Sequence, residues 1–567
     1  MSFIITNFKF TGATQYKDIY FSGNYIRILS GHLCLSKSSN IKFRNKFAED
    51  LSSVDVNNEI ISDDFYIVAD YESNCKEIRI QTDLVAYESG YFFRDSFSFA
   101  FSDDIHLLLK ILTESGYKIS ISENKVREFI CFGRSLFDDT IFLNIIRLKA
   151  ASIYRYSLLE NTLDCHEYNS FKFSNKVTNA HDAATQLYGT IDTYFKKNKI
   201  DGLYGLGLSG GLDSRVAGYF AGKHKYLINP FFIGLKHNRI GLLRNDAKRS
   251  FEVAKELNFM SVKFKNPLSI DLQTKLKNDA QYAPLGVPNV AQNIGNECFE
   301  FDVLIHGMMG GELFGDLLSN KVSIMNVEEL AEYILKKSSH LPLYKYKSTL
   351  LVKLLAWIPC TRNNVICNRE TYLEVMNEDE YQRCKGRMID WIKLEKEKGL
   401  SNINIFLKEF YYRFSAGVKT GYYSTLEDNF PALGVYMNPC VLRTALEWSD
   451  ELFQNKIVQY HLVQMLGNLS LIRSQTFRTN ANKNKKLNKI MKIYSIFERI
   501  IRGGSMVYTD WFTVKEISES EKELALGSKI YDKINLKSNA YRKSGMNAMF
   551  VIIKTAVIEK QYNLEVE

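Results

Sequence analysis

One short segment, residues 203–214, combines the residue types that bind phosphate and a metal ion. It reads Leu-Tyr-Gly-Leu-Gly-Leu-Ser-Gly-Gly-Leu-Asp-Ser, an apolar run that ends in small residues and one acid. Paired glycines let the main chain bend sharply and expose N–H groups as an anion-binding nest, while hydroxyls add donors and a carboxylate can hold a metal ion. The residues concerned are Ser209, Gly210, Gly211, Asp213 and Ser214.

A strand and a helix must position these groups. The apolar run before the loop predicts a buried strand, and Val216, Ala217, Tyr219 and Phe220 follow the loop with the spacing of a helix. The loop would then lie at a helix N-terminus, where the dipole favours phosphate. Strand, glycine loop and helix together predict a nucleotide site.

Other short motifs overlap the same segment. The sequence lacks Gly-x-x-x-x-Gly-Lys-Ser/Thr here, and Gly205-x-Gly207 lacks the third glycine of a dinucleotide-binding turn. Residues 207–211 do satisfy Gly-x-Ser-x-Gly, the nucleophile elbow of serine hydrolases, and histidines follow further along the chain. A hydrolase gives no role to the Asp213-Ser214 pair, whereas a pyrophosphate site uses both. We therefore favour nucleotide binding over a hydrolase or a plain turn.

The loop and three later segments resemble the asparagine-synthetase family, which includes β-lactam synthetases and lasso-peptide cyclases. Ser-Gly-Gly-Leu-Asp-Ser at 209–214 is similar to that family's pyrophosphate loop. The later segments come in the family's order: residues 231–235 as a second strand, 245–247 opening a helix, and 303–307 as a third strand followed by Met-Met-Gly-Gly-Glu-Leu-Phe-Gly.

This resemblance implies an ATP site with magnesium. The residues that line adenine and ribose would be Leu208, Ile233, His306 and Gly307. The residues that bind pyrophosphate would be Ser209, Gly210, Gly211 and Ser214, and Asp213 would ligate magnesium. The chain departs from the family at two positions. The family's second magnesium aspartate falls on Gly311, so Glu312 or Asp316 would have to replace it, and the family's catalytic glutamate or tyrosine falls on Met308. We take Glu312 as the second metal ligand.

Further catalytic residues are implied in the C-terminal half. Residues 424–433 resemble the family's Gly-x-Glu-x-Arg-x-Pro-Phe-Leu-Asp, with Glu427 aligned and Asn429 in place of the arginine. The family lysine that steadies charge on ATP has no direct counterpart, which leaves Arg478 and Lys483 as candidates. Each is more commonly a solvated surface cation.

Residues 1–170 resemble the class II glutamine amidotransferase domain of the family, an N-terminal nucleophile-hydrolase-like β-sandwich. Residues 65–71 and 78–84 look like paired strands. Residues 91–93 with 97–103 resemble the family's next strand pair, and two segments within 141–156 resemble its closing strands. The sequence reads Met-Ser where glutamine-using members have a cysteine nucleophile, so we expect Ser2 to be an ordinary residue and glutamine hydrolysis to be lost. An unrelated β-rich domain is the alternative.

The sequence thus predicts an α/β protein with an α+β N-terminal domain. The three predicted parts are the inactive amidotransferase-like domain at 1–170, an asparagine-synthetase-like ATP pyrophosphatase domain at 180–480, and a helical C-terminal extension at 481–567. The second part would carry a Rossmann-like parallel sheet of the PP-loop, adenine-nucleotide α-hydrolase-like type. With 567 residues, 46% of them hydrophobic, the chain can bury two or three cores, and the seam would lie at 169–178.

Composition also bounds the location and the partners. Nine cysteines without Cys-x-x-Cys indicate neither a zinc site nor a disulfide framework. No uncharged apolar stretch approaches the roughly 18 residues of a membrane span, and no signal sequence is present, so we expect a cytoplasmic protein without a transmembrane segment. The net charge of +9 is partly concentrated in lysines at 483–492. They open an amphipathic pattern reaching residue 501, which would cover the protein's own core or else touch an anionic membrane surface; nucleic-acid binding is not indicated.

The expected activity is an ATP-dependent carbon–nitrogen ligase. In the family, ATP adenylates a carboxylate and an amine then attacks the acyl-adenylate, with AMP and pyrophosphate as products. The substrates would be a small-molecule or peptide carboxylate and amine, such as a peptide, an amino acid or a sugar acid, with ATP and Mg²⁺ as cofactors. Two alternatives stay open: asparagine synthesis from aspartate with ammonia or glutamine, and a nucleotide-binding pseudoenzyme or scaffold.

Overall fold

The structure is a computed structural model. It describes residues 4–6, 19–22, 25–30, 67–72, 76–86, 90–96, 98–132, 134–168, 171–209, 211–233, 246–259, 262–265, 271–282, 300–314, 318–319, 321–338, 373, 375–410, 432–471, 519–520, 523–534 and 546–567.

Strands occur throughout the described residues. In chain order they are β1 (Ile4–Thr6), β2 (Ile19–Ser22), β3 (Tyr25–Ser30), β4 (Ile67–Glu72), β5 (Glu77–Thr82), β6 (Tyr91–Arg94), β7 (Phe99–Ser102), β8 (Ser120–Ile121), β9 (Ile145–Arg147), β10 (Ser152–Ser157), β11 (Thr162–Glu167), β12 (Leu203–Gly207), β13 (Leu227–Ile233), β14 (Lys263–Lys265), β15 (Val303–His306), β16 (Ala432–Gly434) and β17 (Glu565–Val566).

Helices dominate from residue 105 onward. They are α1 (Ile105–Glu114), α2 (Glu123–Phe132), α3 (Ala180–Lys197), α4 (Leu212–Lys223), α5 (Asp246–Glu256), α6 (Leu272–Tyr282), α7 (Gly310–Leu313), α8 (Val327–Ser338), α9 (Glu378–Glu397), α10 (Asn402–Lys408), α11 (Pro439–Ala445), α12 (Ile457–Gln464), α13 (Lys529–Ile534) and α14 (Met546–Tyr562), with 3₁₀ turns at Val322–Ile324, Asp450–Phe453 and Gly467–Leu471.

The N-terminal strands form two antiparallel sheets packed face to face. A four-stranded sheet has the order β1-β7-β6-β9, and a six-stranded sheet has the order β11-β10-β5-β4-β3-β2. Side chains alternate across each strand, so Phe92, Phe99 and Phe101 point into the layer between the sheets while their neighbours point the other way. The ring of Tyr156 from β10 lies 5.2 Å from that of Phe92 and 4.7 Å from that of Phe99, which joins the two sheets.

The predicted strand pairs of this region are confirmed. β4 pairs antiparallel with β5, with Asp70 opposite Arg79, and β6 pairs antiparallel with β7. The predicted closing strands are β9 and β10, which belong to different sheets. On the outer face of the four-stranded sheet, Phe93 and Ala100 belong to the larger core that also contains the buried faces of α1 and α2.

A separate five-stranded sheet has the order β14-β13-β12-β15-β16, and each pair of neighbouring strands in it is parallel. β12 lies in the middle. The chain moves outward from it to β13 and β14, and then returns to its other side for β15 and β16. Tyr204, Gly205 and Leu206 are buried, as expected for a central parallel strand covered on both faces. The protein is therefore mixed α/β, as predicted at this level.

Helix α5 begins at Asp246, where the sequence predicts a helix start. The spacing of Ala247, Phe251, Ala254 and Leu257 predicts one shared helix face. Phe251 is 40% exposed, whereas Val253 and Ala254 are buried. Helical spacing groups residues on one face but does not set how the helix is rotated against the sheet, so residues of that face are not equally buried.

The C-terminal residues return to the N-terminal part of the chain. β17 pairs in parallel with β8, and the Nδ1 atom of His106 lies 2.7 Å from the hydroxyl oxygen of Tyr562 at the end of α14. Helix α14 also packs against α2 and α6. Residues 171–178, the predicted seam, run beside 446–449, with Phe171 and Phe173 buried. The predicted domain boundaries stay predictions.

Charged groups tie strand β11 to helices α9 and α10. Lys408 Nζ lies 2.6 Å from Glu167 Oε1 and 2.9 Å from Glu395 Oε2, and Lys398 bonds the same two carboxylates. Burial would raise the pKa of the Glu395 carboxyl, but the neighbouring Lys408 and Lys398 outweigh it and hold that pKa below its ordinary value. Glu395 is therefore charged and paired in the folded protein.

Replacing Glu395 by Gln is expected to destabilise the protein at pH 7 by about 1–2 kcal/mol, because charge-assisted hydrogen bonds are lost while Glu167 still balances both lysines. A carboxyl whose pKa is lowered by folding stabilises above its unfolded pKa and loses that contribution in acid. The deficit should thus shrink as the pH falls below about 4.5. Urea unfolding at pH 7 and pH 4 measures both effects. Glu397→Gln, at an exposed position of the same helix, is the matched control; an equal deficit at both pH values would contradict the assignment.

Among the helices of the described residues, none is both long enough and apolar enough to cross a membrane.

Candidate functional site

The loop of residues 208–211 joins the central strand β12 to helix α4. Leu208 is buried and its N–H donates to the carbonyl oxygen of Phe231 at 2.9 Å, which extends the pairing of β12 with β13 by one residue. Gly211 is the N-cap of α4 and carries no side-chain cap, so the first amides of the helix are not bound by a capping side chain. Sequence and structure agree on strand, loop and helix here.

The two serines of the loop bind each other and the backbone. The N–H of Ser209 donates to Ser214 Oγ at 3.2 Å, the two Oγ atoms lie 3.1 Å apart, and the N–H of Gly211 donates to Ser209 Oγ at 3.3 Å. Two loop amides are thus engaged by hydroxyls. Among the described residues, the donors beside this loop are the serine hydroxyls and the amides at the start of α4. Gly210, which belongs to the predicted nest, lies outside the described residues.

Gly211 does not supply the sharp bend that the sequence suggested. Its φ of −70° and ψ of 170° are open to most residues. A Cβ atom built on it would meet Ser209 Oγ at 3.2 Å and no other described atom outside its chain neighbours within 4 Å. The absent side chain therefore keeps the surface beside Ser209 open to close approach.

A second loop, which follows β15, touches the first at Asp213. A Cβ atom on Gly307 would lie 2.6 Å from both the carbonyl carbon and oxygen of Asp213, and one on Gly310 would lie 2.3 Å from Asp213 Oδ1. Between them Met309 has a φ of 67°, a left-handed conformation that non-glycine residues rarely adopt. The two glycines are therefore required by the close contact between the loops, and strained backbone lies directly beside Asp213.

Asp213 also interacts with two residues that the sequence did not single out. Gln459, on α12, donates a hydrogen bond from Nε2 to Asp213 Oδ1 and is fully buried. Tyr436, two residues after β16, is fully buried too; burial and then the Asp213 carboxylate raise the pKa of its hydroxyl well above the ordinary range. Nothing in the spacing of Gln459 or Tyr436 marks them in the sequence, since they come from elements far along the chain.

The residues predicted to line adenine lie mainly beneath the loops. Leu208 and His306 are 1% and 0% exposed, and the N–H of Met308 donates to His306 Nδ1 at 3.4 Å. Gly434 of β16 packs on this ring, since a Cβ atom there would lie 2.9 Å from His306 Cε1. Ile233, at the end of β13, is partly exposed. The structure brings Leu208, His306 and Gly307 to one edge of the sheet but encloses the two side chains.

A buried arginine follows the loop directly. Arg215, in the first turns of α4, is 1% exposed, and its Nη1 donates to the carbonyl oxygen of Leu469 at 2.7 Å. Burial, with a smaller effect from Arg249, lowers the pKa of Arg215 to about 10, so it remains charged at neutral pH. It adds a positive charge to the helix that follows the loop, where the dipole already favours anions.

The described residues contain no group of three or more histidine, cysteine, aspartate or glutamate side chains arranged to hold a metal. Magnesium commonly takes only one or two carboxylates and completes its shell with water and substrate phosphates. The Asp213 carboxylate therefore fits magnesium as one protein ligand among the described side chains. Gly311, where the family's second aspartate falls, lies in α7 next to the Asp213 contact.

Several predicted site residues lie outside the described residues. They are Gly210, Glu427, Arg478 and Lys483, together with the side chain of Glu312, the alternative ligand Asp316, residue Ser2 and the basic segment 483–501. Their predicted roles stay predictions.

A separate cavity of about 760 Å³ lies between α3 and α11. Its lining includes Thr190, Lys197, Arg443 and Thr444, and none of the described loop residues borders it. The chemistry-bearing groups are at the carboxyl edge of the sheet, so we place the candidate site there rather than in this cavity.

No family model matches the sequence, and no curated protein matches it. Among solved structures, the chain is similar to a glutamine phosphoribosylpyrophosphate (PRPP) amidotransferase from B. subtilis complexed with ADP and GMP, with a TM-score of 0.16 and 7% identity over 43% of this chain and 72% of that chain. It is also similar to the allosteric regulatory enzyme of purine biosynthesis, with a TM-score of 0.16 and 8% identity over 45% of this chain and 64% of that chain. Likenesses this slight carry no conclusion about activity.

Proposed function

We propose that the chain is an ATP-dependent amide-forming ligase that binds the phosphates of ATP at the loop after β12. The observation that carries this proposal is the position of the loop at the carboxyl edge of the parallel sheet. Strand order reverses between β12 and β15, and in open parallel sheets ligands bind in the crevice at such a reversal. The loops that follow these two strands meet at Asp213.

The chemistry of the loop suits a pyrophosphate. Two serine hydroxyls, the amides at the start of α4 and the charge of Arg215 offer donors and positive potential to an anion. Asp213 would hold magnesium, which supplies positive charge to the departing pyrophosphate. These groups would keep the β- and γ-phosphates in place while the α-phosphorus reacts.

The proposed reaction activates a carboxylate in two steps. A carboxylate oxygen attacks the α-phosphorus of ATP, and the bond to pyrophosphate breaks. An amine then attacks the acyl carbon of the adenylate, AMP leaves with the bridging oxygen, and the amine loses a proton to solvent. The resemblance of residues 209–214 and 303–315 to the asparagine-synthetase family supports this reaction class. The carboxylate would belong to a peptide, an amino acid or a sugar acid, and the second substrate would be an amine. Formation of asparagine is one such reaction.

A second candidate is a nucleotide-binding protein without turnover. Met308 occupies the position where the family has a catalytic glutamate or tyrosine, and it packs partly buried against the core. Gly311 likewise removes a carboxylate from the second loop. Both replacements favour binding over catalysis.

A paired measurement tests the two candidates. Titration calorimetry with ATP and Mg²⁺ should show binding in either case, and we expect none for GTP or CTP if adenine is selected. Incubation with ATP, Mg²⁺, a panel of amino acids, peptides and sugar acids, and ammonia or an amine should release pyrophosphate and AMP for a ligase. Aspartate with ammonia as the best pair would select asparagine synthesis. Binding without pyrophosphate release across the panel would favour the scaffold, and absence of ATP binding would refute both.

A further inference from the structure

Asp213 is hydrogen-bonded to Gln459 on helix α12, and neither the loop motif nor the sheet topology accounts for this pairing. Oδ1 of Asp213 accepts a hydrogen bond from Gln459 Nε2, and Gln459 is 0% exposed. A carboxylate is planar, so a hydrogen bond to one oxygen restricts the direction of the other oxygen. Gln459 therefore determines where Asp213 can present its second oxygen.

The surrounding backbone keeps this pair in place. Gly310 approaches the same Oδ1 atom so closely that a Cβ atom would overlap it at 2.3 Å. Tyr436 closes another side, with its ring 2.9 Å from that same Cβ position. The carboxylate thus lies beside a glycine, a buried ring and a buried amide, and Gln459 reaches it from α12.

Helix α12 enters through strained backbone. Asn455 and Lys456, immediately before it, have φ values of 55° and 56°, so two successive non-glycine residues are left-handed. Such conformations persist where surrounding contacts hold them, and they concentrate at functional sites. Gln459 follows within the first turn of the helix, so this entry geometry fixes where its side chain begins.

We propose that Gln459 is a positioning residue for Asp213: its amide fixes one carboxylate oxygen so that the other takes a single divalent cation carried with bound ATP. This inference rests on the proposed nucleotide site. Residues that hydrogen-bond a metal-ligating carboxylate orient it, and their loss weakens metal binding by roughly 10- to 100-fold. A neutral amide suits the role, because it donates to the carboxylate without adding a competing positive charge.

The decisive variant is Gln459→Met, which keeps the volume of the side chain and removes the donor. Mn²⁺ binding is measured by electron paramagnetic resonance in the presence of a non-hydrolysable ATP analogue, and binding of the analogue alone is measured in EDTA by calorimetry. We expect Mn²⁺ affinity to fall by about 10- to 100-fold, while the affinity for the analogue in EDTA changes by less than about twofold, since the serines and helix amides are untouched. Gln464→Met, at an exposed position of the same helix, is the matched control and should match the wild type.

The outcomes separate the inference from the proposed function. Unchanged Mn²⁺ affinity in Gln459→Met would overturn the positioning role. An equal loss of analogue binding with and without metal would also overturn it, because it would mean that Gln459 only supports the fold. A wild-type protein that binds the analogue neither with nor without metal would instead refute the nucleotide site and the inference with it.

A second variant covers the case in which Gln459→Met does not fold. Gln459→Asn keeps the amide but shortens the side chain by one methylene, so the donor is withdrawn from Asp213. Its Mn²⁺ affinity should fall by about 10- to 100-fold, while the affinity for the analogue in EDTA stays within about twofold of the wild type. Unchanged Mn²⁺ affinity in a folded Gln459→Asn would overturn the inference.

Discussion

Replacing Asp213 by Asn is expected to weaken binding of Mg²⁺ with ATP by on the order of 100-fold, because the site loses its described carboxylate ligand. The described side chains of the second loop offer no carboxylate in its place. The amide keeps the size of the side chain, and its oxygen can still accept the hydrogen bond from Gln459. Calorimetry with ATP and Mg²⁺ measures the loss. Pyrophosphate release, where a substrate acid is found, should fall at least as far.

The matched control is Asp182→Asn. Asp182 also lies in the first turn of a helix, α3, but it is exposed and distant in sequence from both loops. Removal of any first-turn carboxylate weakens the favourable interaction with the helix dipole, so the control subtracts that general effect. Equal ATP affinity in Asp213→Asn and Asp182→Asn at saturating magnesium would mean that Asp213 binds no cation, and the proposed site would lose its metal.

Replacing Gly307 by Ala is expected to cost about 3 kcal/mol of stability, at the upper end of the usual range for overpacking. The new Cβ atom would lie 2.6 Å from the carbonyl carbon and oxygen of Asp213. Both are backbone atoms at the start of α4, so no side chain can rotate away and one loop must move. A shift of the urea unfolding midpoint measures the cost, and nucleotide affinity should fall in parallel because the displacement moves Asp213 at the start of α4.

Gly386→Ala is the contrasting substitution. Gly386 lies inside α9, and a Cβ atom there meets no described atom within 4 Å beyond its own helix backbone and chain neighbours. The same chemical change should stabilise the protein by about 0.5–1 kcal/mol, because alanine loses less backbone entropy than glycine in a helix. If Gly307→Ala also left stability unchanged or raised it, the close contact between the two loops would not exist in solution.

Local sequence patterns predicted the local elements well. The segments read as strand pairs from the sequence are β4–β5 and β6–β7, and the apolar run before the glycine loop is β12. Such elements can be read locally because strand and helix geometry repeats over a few residues. The spacing that placed Phe251 and Ala254 on one helix face did not give their burial, since periodicity does not give the rotation of the helix against its neighbours.

The chemistry of the loop was also written in the sequence: Ser209, Asp213 and Ser214 could be named from residue type and spacing alone. Only the tertiary structure decided what surrounds Asp213. The groups around it include Gln459, Tyr436 and Gly310, which follow Asp213 in the chain by about 100 to 250 positions. No period or motif links them to Asp213. In a parallel sheet, strands that are far apart in sequence end at the same edge. Strand order and packing therefore decide which groups surround a side chain at that edge. No single segment of the sequence encodes that order.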